Sequence, residues 1–312
     1  MGDWSVAEMP SLDGDTVVVT GANSGLGFEG TKAFARKGAT VVMACRSVDR
    51  GEDAAAEIRR SIADADLDVR QCDLASLSSV AGFTEGVRDE YGGVDILCNN
   101  AGVMAIPRQE TEDGFETQLG VNHLGHFALT ARLWPALRAS DGEARVVTQS
   151  SGAHEMGEMD FSDLMSERSY GRWAAYGRSK LANLLFAYEL QDRIDDNGVD
   201  DVRSVACHPG YADTNLQFRG PQEMGSNVRL AGMKVANALL GQSAKQGALP
   251  MLYAATADGI IGGEYVGPDG LLGMRGAPEF QQSNEASRDE DDAAELWSVS
   301  EELTGVEFDV SA

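Results

Sequence analysis

Residues 17–27 read VVVTGANSGLG, a β-branched run that ends in a glycine-rich turn, and helical periodicity follows through Phe28 and Phe34. This order predicts a strand, a turn and a helix. Glycines at such a turn let the backbone approach a pyrophosphate closely, and the N-terminus of the helix supplies free N–H groups and a favourable dipole. A plain strand–helix loop can also be rich in glycine, but a position after the first strand favours dinucleotide binding.

The alternation of strands and helices continues along the chain. Further strands are predicted at residues 40–45, 69–72, 94–98, 145–148, 202–207 and 264–266, and helices at 113–139, around Tyr176 and at 243–257. This pattern predicts an α/β fold, a doubly wound parallel sheet (Rossmann-like) with helices on both faces. Residues 1–280 contain no linker or repeat and are expected to form a single domain. Residues 281–312 are expected to form an acidic helical tail that packs on it.

The charge of the chain is unusual for a globular protein. Among 312 residues, 50 are acidic and 25 basic, which gives a formal net charge of −25, and five of the basic residues are lysines. Such a field repels nucleic acid and anionic membranes, so neither is expected as a partner. An acid-rich, lysine-poor surface suits a protein that stays soluble at very high salt. We therefore expect a salt-adapted, halophilic protein.

Cysteine usage and hydropathy indicate a cytoplasmic location. The four cysteines lie at or near predicted strand ends and show no C-x-x-C spacing, so we expect reduced thiols in the core; they are Cys45, Cys72, Cys98 and Cys207. The N-terminus has no apolar signal segment, and no stretch approaches the roughly 18 apolar residues of a membrane span. We expect a soluble, intracellular protein.

The end of the second strand bears on the choice of cofactor. Arg46 stands about 20 residues after the turn, where a dinucleotide domain reads the adenosine ribose. A carboxylate there would favour NAD, whereas a guanidinium suits the 2′-phosphate of NADP. We therefore expect NADP(H) in preference to NAD, with an ordinary surface arginine as the alternative. Asp73, at the end of the third strand, is placed to accept from an adenine amino group, to cap the next helix, or to do both.

Tyr176 and Lys180 are four residues apart in a predicted helix. Both side chains then leave one face, about 5–6 Å apart at their Cβ atoms. An ammonium there would favour the phenolate and lower the tyrosine pKa from about 10 towards neutral pH. That would make the phenol a usable general acid or base, although such pairs also occur by chance on helix surfaces.

Several motifs, taken in order, resemble the short-chain dehydrogenase/reductase family over residues 15–270. They are TGANSGLG at 20–27, NNAG at 99–102, Asn122, Ser150-Ser151, YGRSK at 176–180 and Pro209-Gly210. ACR at 44–46, the long segment after Ser151 and AYGRSKLAN at 175–183 look similar to the retinol dehydrogenase and WW-domain oxidoreductase group. The resemblance implies an oxidoreductase that transfers a hydride between NADP(H) and a lipophilic aldehyde, ketone or alcohol, retinal-like or other.

The resemblance also implies a role for each matching residue. Tyr176 would be the catalytic acid/base, and Lys180 would lower its pKa and bind the nicotinamide ribose. Ser151 would stabilise charge on the substrate oxygen, and Asn122 would hold a water that extends the proton relay. Family members often pair through the helices that hold Asn122 and Tyr176, which makes a homodimer or tetramer an option. Cofactor contacts are expected from Gly21, Asn23, Ser24, Gly25, Leu26, Gly27, Arg46, Asp73, Leu74, Asn100, Ala101, Gly102, Tyr176, Lys180, Pro209, Gly210 and Thr214.

The surroundings of the site leave alternatives open. Ser150 and Ser151 should point in opposite directions at a strand end, and the motif position favours Ser151 as the catalytic serine. Tyr176 stands 25 positions after Ser151, with a long segment between them. Within this segment, His154, Met156 and Met159 could either line a substrate entrance or fill the surface. Residues 211–234 are expected to form a loose stretch over the pocket.

Two further expectations concern metals and function. His123 and His126 have the spacing of metal ligands on a helix face, but no third ligand is evident, so packed or solvated roles and no metal are expected. A fold does not determine a function, so a non-catalytic NADP-binding sensor or scaffold remains the alternative to an enzyme.

Overall fold

The computed structural model describes residues 4–210, 243–270 and 273–311 of the chain. Its strands are β1 (Thr16–Thr20), β2 (Thr40–Cys45), β3 (Leu67–Gln71), β4 (Ile96–Asn99), β5 (Ala144–Gln149), β6 (Val202–Cys207), β7 (Tyr265–Pro268) and β8 (Pro278–Gln281). They form one sheet in the order β3-β2-β1-β4-β5-β6-β7-β8. The first seven are parallel, and β8 pairs with β7 antiparallel. The prediction of a doubly wound sheet is confirmed.

The helices cover both faces of this sheet. They are α1 (Gly25–Arg36), α2 (Val48–Ser61), α3 (Leu77–Tyr91), α4 (Thr117–Leu119), α5 (Gly125–Arg138), α6 (Arg172–Asp196), α7 (Ala244–Gly247), α8 (Leu249–Thr256) and α9 (Glu290–Thr304). A π-helix, Gly120–Leu124, joins α4 to α5. Short 3₁₀ helices lie at Val6–Glu8, Gly152–Met156, Phe161–Asp163 and Glu285–Arg288.

The helix expected at residues 113–139 begins later than predicted and is divided. Gly114 has a φ of 86°, which a right-handed helix cannot include. The helix starts instead after Glu116, whose carboxylate accepts from the backbone N–H groups of Gln118 and Leu119 at 2.9 and 2.8 Å. This cap satisfies two of the free N–H groups at the helix N-terminus.

The central strands are buried on both faces. Val17 and Val19 pack into one hydrophobic layer with α1, α2 and α8, whereas Val18 packs into the other with α3, α5 and α6. Because both faces of each strand are covered, the strands appear in the sequence as continuous apolar runs. Because these strands are parallel, their carboxyl ends lie on the same side of the sheet, and the site is formed there.

The C-terminal segment packs on the outer face of α5 and α6. Its helix α9 is capped by Asp289, which accepts from the N–H of Asp292, and buries Leu296 and Trp297. The ring of Trp297 lies 5.3 Å from that of Phe127 on α5. The segment therefore contributes to the main hydrophobic core rather than extending into solvent.

Other predictions can be located on this fold. The four cysteines are free and buried, as expected. Strand β8 was not predicted, and residues 211–234, with Thr214, lie outside the described residues. In the part of the chain that the structure describes, no helix combines the length and hydropathy needed to cross a membrane.

Candidate active site

A cleft of about 220 Å³ opens at the carboxyl ends of the strands, where the strand order reverses between β1 and β4. Ligands of open α/β sheets bind at this kind of position. Twelve of the predicted cofactor residues line it, namely Gly21, Asn23, Ser24, Gly25, Leu26, Gly27, Arg46, Asp73, Leu74, Asn100, Ala101 and Gly102. The sequence motifs at 20–27 and 99–102 therefore come together in space.

Two glycines determine the shape of the turn after β1. Gly21 has a φ of 67°, a conformation that side chains disfavour. A Cβ on Gly27 would lie 2.4 Å from the carbonyl O of Gly21 and 2.7 Å from Nδ2 of Asn100. The turn is thus closed so tightly that only glycine fits at position 27. Its backbone and the N-terminus of α1 face the cleft, which suits a pyrophosphate.

Two arginines stand at the far end of the cleft. Arg46 lines it as expected and is exposed, and Arg50 lines it as well. Ser47 between them is the N-cap of α2 and accepts from the N–H of Arg50 at 3.5 Å. Two guanidinium groups and a helix N-terminus favour an anionic ligand. Sequence reasoning missed Arg50, which lies in the first turn of α2, four residues after Arg46.

Asp73 lines the cleft but does not cap the next helix, so that alternative was wrong. Its Oδ1 accepts from the N–H of Ala75 at 3.0 Å. The N-cap of α3 is Ser76, which accepts from the N–H of Ser79. Since α3 begins at Leu77, Asp73 stands too far upstream to reach the N–H groups of its first turn.

Tyr176 and Lys180 lie on α6, only 4% and 3% exposed. The Nζ of Lys180 is 6.0 Å from the centre of the Tyr176 ring and donates to the carbonyl of Gln149 at 3.0 Å. Burial raises the pKa of Tyr176 to about 12, against a hydrogen bond with Ser151 that lowers it. Burial also lowers the pKa of Lys180 to about 8. The shift at Tyr176 is opposite to that expected from the pair alone, because desolvation disfavours the phenolate more than its partners favour it.

The two serines after β5 have different partners. Ser150 is buried, and its hydroxyl donates to the carbonyl of Lys180 at 2.7 Å. Ser151 caps the next 3₁₀ helix by accepting from the N–H of Ala153 at 3.2 Å and is hydrogen-bonded to Tyr176. Their opposite directions agree with the pleat of a strand. Ser151 is the serine that faces the phenol.

Asn122 lies in the π-helix and is fully buried. Its Oδ1 accepts from the N–H of Val103 at 2.8 Å, and its Nδ2 donates to the carbonyl of Val103 at 2.9 Å and to Ser179 Oγ at 2.8 Å. A Cβ added to Gly102 would lie 3.1 Å from Asn122 Oδ1 and 3.7 Å from Lys180 Nζ. The end of the cleft thus adjoins the buried polar cluster, and π-helical turns often occur at such functional sites.

The segment between Ser151 and Tyr176 supplies both buried and exposed groups. His154 is buried, and its Nδ1 donates to the carbonyl of Ser151 at 2.7 Å, so this ring does not line an entrance. Met156 is 58% exposed, and Met159 is partly buried in a hydrophobic cluster. Trp173, which sequence reasoning did not single out, is 52% exposed, and its ring centre is 6.1 Å from that of Tyr176.

The remaining predicted positions lie at the same edge of the sheet or outside the described residues. Pro209 and Gly210 follow β6, and Gly210 has a φ of 64°. Thr214 falls in the part that the structure does not describe. Across residues 4–210, 243–270 and 273–311, no three histidine, cysteine or carboxylate side chains are grouped as metal ligands.

Comparison with known proteins identifies the family. Residues 15–224 match the family model for short chain dehydrogenase, and the chain belongs to that family of oxidoreductases, which act on CH–OH and C=O groups with NAD(P). It is 41% identical over 300 residues to retinol dehydrogenase 12 of Homo sapiens, an alignment that spans 96% of this chain and 89% of the relative. It is 38% identical over 309 residues to polyprenol dehydrogenase of Mus musculus, spanning 97% and 88%. The expected resemblance to the retinol dehydrogenase group is confirmed.

A solved structure of an uncharacterized protein from Mycobacterium paratuberculosis is also similar. It superposes with a TM-score of 0.81 at 42% sequence identity, covering 99% of this chain and all of that chain. The similarity extends beyond the central sheet to almost the whole chain, the C-terminal segment included.

Proposed function

We propose that this protein transfers a hydride between NADP(H) and a carbonyl or alcohol substrate that carries a large apolar group, with Tyr176 as acid/base. The observation that carries the proposal is the cluster of Tyr176, Ser151, Lys180 and Asn122 at the end of the cleft. When bound, the dinucleotide supplies or accepts the hydride. Every other part of the chemistry falls to residues of the chain.

Tyr176 and its neighbours move the proton. Because burial raises its pKa to about 12, the phenol is protonated at neutral pH and can donate to a carbonyl oxygen that gains charge during reduction. Ser151 offers that oxygen a second hydrogen bond. The ammonium of Lys180, 6.0 Å from the ring, favours the phenolate as it forms. In oxidation the phenolate form of Tyr176 is the one that takes the proton from the alcohol.

The residues of the cleft fit an NADP-type dinucleotide. Gly27 leaves room for a close pyrophosphate, and the carboxylate of Asp73 is placed for an adenine amino group. Arg46 and Arg50 stand beside the N-terminus of α2, where a 2′-phosphate would find two guanidinium groups. The absence of a carboxylate at position 46 removes the usual partner of the NAD ribose.

Exposed apolar side chains beside Tyr176 support a lipophilic substrate. Trp173 precedes it by three residues on α6. The backbone of Met156 packs directly on Gly177, where an added Cβ would be 3.1 Å from the Met156 carbonyl carbon. A contiguous patch of exposed apolar side chains commonly marks a ligand surface, and we propose that Trp173 and Met156 belong to one. The relatives are named for retinol and for a polyprenol, both alcohols on long hydrocarbon chains.

The test is an assay of NADPH oxidation in high salt against aldehydes and ketones of increasing chain length. We expect Tyr176→Phe to lower kcat by about 10²–10⁴-fold while changing dinucleotide affinity far less, since the ring is kept. The matched control is Tyr188→Phe, a buried tyrosine on the same helix that is hydrogen-bonded to Ser283. Full activity in Tyr176→Phe would disprove the assigned acid/base. Dinucleotide binding without turnover of any carbonyl would favour the sensor or scaffold alternative.

A further inference from the structure

His126 is a buried histidine in the first turn of α5, and both of its ring nitrogens are hydrogen-bonded. Its Nδ1 lies 3.0 Å from the carbonyl O of Asn122, and its Nε2 lies 2.9 Å from Oγ1 of Thr20. The ring therefore stands between the glycine-rich turn and the π-helix. The proposed proton transfer does not use it.

The positions of the protons in this bridge follow from what each partner can donate or accept. A carbonyl only accepts, so Nδ1 of His126 carries a hydrogen. Burial, with the charge of Lys180 adding to it, lowers the pKa of His126 to about 4, so the ring is neutral and its Nε2 accepts. The hydroxyl of Thr20 then donates to Nε2 and accepts from the N–H groups of Asn100 and Ala101, both at 2.9 Å. A hydroxyl can donate one hydrogen bond and accept two, so the capacity of Thr20 is fully used.

A competing acceptor for the Thr20 hydroxyl is farther away. The carbonyl of Cys98 lies 3.2 Å from Oγ1, against 2.9 Å for the ring nitrogen of His126. If the hydroxyl donated to Cys98, the Nε2 of His126 would be a buried acceptor without a donor, which costs free energy. The bridge through His126 leaves no such group.

Asn122 extends the connection to the catalytic helix. Its side chain binds both backbone groups of Val103 and the hydroxyl of Ser179. Ser179 in turn donates to the carbonyl of Tyr176 at 2.8 Å. Hydrogen bonds therefore link Thr20 at the dinucleotide turn to His126 and the Asn122 backbone, and the Asn122 side chain, through Ser179, to the backbone carbonyl of Tyr176.

We infer that His126 is a positioning residue. Its ring connects the Asn122 carbonyl to the Thr20 hydroxyl and so fixes the dinucleotide turn relative to the helix of Tyr176. The inference rests on the proposed function. It goes beyond it in assigning a task to a buried side chain that does not line the cleft. Because each ring nitrogen contacts one side of the site, the two contacts can be removed separately.

The first experiment reads the tautomer by ¹⁵N NMR of histidine-labelled full-length protein, in which there are four histidines to assign. We expect His126 to be neutral with the hydrogen on Nδ1 from pH 6 to 9. His123 serves as the internal control with the hydrogen on Nε2, because Ser300 Oγ donates to Leu296 O and can only accept from the ring. A hydrogen on Nε2 of His126, or titration of that ring in this range, would overturn the bridge.

The second experiment compares two variants that each keep one contact. In His126→Asn the amide N–H can still donate to Asn122 O, so we expect weaker dinucleotide binding, by about three- to tenfold, with kcat little changed. In His126→Gln the amide oxygen can still accept from Thr20, so we expect kcat to fall by a similar factor with dinucleotide affinity retained. His123→Asn, a buried ring three residues away, should lower only the unfolding temperature.

The outcomes separate this inference from the proposed function. Equal losses in the two His126 variants, or losses matched by His123→Asn, would reduce the ring to a packing role and refute the inference. Should the wild-type protein turn over no carbonyl, the proposed function fails. The tautomer and the dinucleotide affinities of the same variants would still decide whether the bridge exists.

Discussion

Around the cleft, the ligand-facing groups are backbone N–H groups and exposed arginines, held by a turn that needs glycine at position 27. Around Tyr176, the polar side chains are buried, and Lys180, Ser150 and Asn122 already have hydrogen-bond partners within the protein. The first region depends on the shape of the backbone, and the second on desolvation. The difference teaches that substitutions should act through steric fit and exposed charge at the cleft, and through desolvation at the buried cluster.

Gly27→Ala tests steric fit directly and should have the largest effect on dinucleotide affinity. The new Cβ would meet the carbonyl of Gly21 at 2.4 Å, and a backbone atom cannot rotate away. We expect dinucleotide affinity, measured by fluorescence titration, to fall by roughly 100-fold or more. The control is Gly82→Ala on α3, where an added Cβ has nothing within 4 Å. An affinity for Gly27→Ala within threefold of wild type would contradict the steric argument.

Lys180→Met tests the role of charge in the buried cluster. Burial lowers the pKa of Lys180 from 10.5 in the unfolded chain to about 8, so the native state carries an unfavourable ammonium below pH 8. Wild-type stability should therefore rise between pH 8 and 10.5 as the native state gives up the proton first. At pH 7 the variant should lose activity. Its free energy of unfolding should rise by at most about 3 kcal/mol, reduced by the contribution of the hydrogen bond to Gln149 that the variant no longer makes.

Denaturant unfolding of both proteins from pH 6 to 10.5 checks this expectation. The stability difference between Lys180→Met and wild type should shrink as the pH rises through 8. A difference that stays constant over this range would show that the ammonium carries no burial penalty.

Arg46→Ala and Arg50→Ala test the charged end of the cleft. Each removes a guanidinium from the proposed 2′-phosphate site, so we expect the KM for NADPH to rise about tenfold while the KM for NADH stays the same. Arg60→Ala, an exposed arginine later on α2, is the matched control. Equal effects on both dinucleotides would remove the case for NADP preference.

The smallest effect is expected from Trp173→Ala at the border of the buried cluster. Loss of an exposed aromatic side chain beside Tyr176 should raise the KM for long-chain carbonyls severalfold and leave short-chain ones unchanged, since only the long chains reach it. Phe280→Ala, 40% exposed on β8, provides the control. A KM that responds equally to short and long substrates would mean that Trp173 does not contact the apolar chain.

The contrast between the two regions also explains what could be predicted from the sequence. Strands β2 and β6 were placed at their observed bounds because strands buried on both faces are β-branched apolar runs. The cleft residues at 21–27 were found because a glycine motif encodes backbone shape directly, and Arg46 and Asp73 because they follow predicted strands. Strand β8 was missed because Pro278, Glu279 and Gln281 give an edge strand no apolar alternation.

The buried cluster was harder to predict for physical reasons. The four-residue spacing of Tyr176 and Lys180 gives their proximity but not their burial, and burial determined the direction of the pKa shift at Tyr176. The π-helix around Asn122 inserts one residue into a turn of a region that was predicted as one continuous helix. The bridging role of His126 depends on Thr20, which is distant in sequence.

The position of α9 affects how the outer face of α5 is covered. Its Trp297 and the following Phe308 stack on each other and pack on Phe127 of α5, which continues the helix region holding Asn122 that the resemblance suggested for pairing. A segment of the same chain therefore acts as a tethered partner, present at a high effective concentration. Completion of this face is a first-order process, so its stability should not depend on the concentration of the protein.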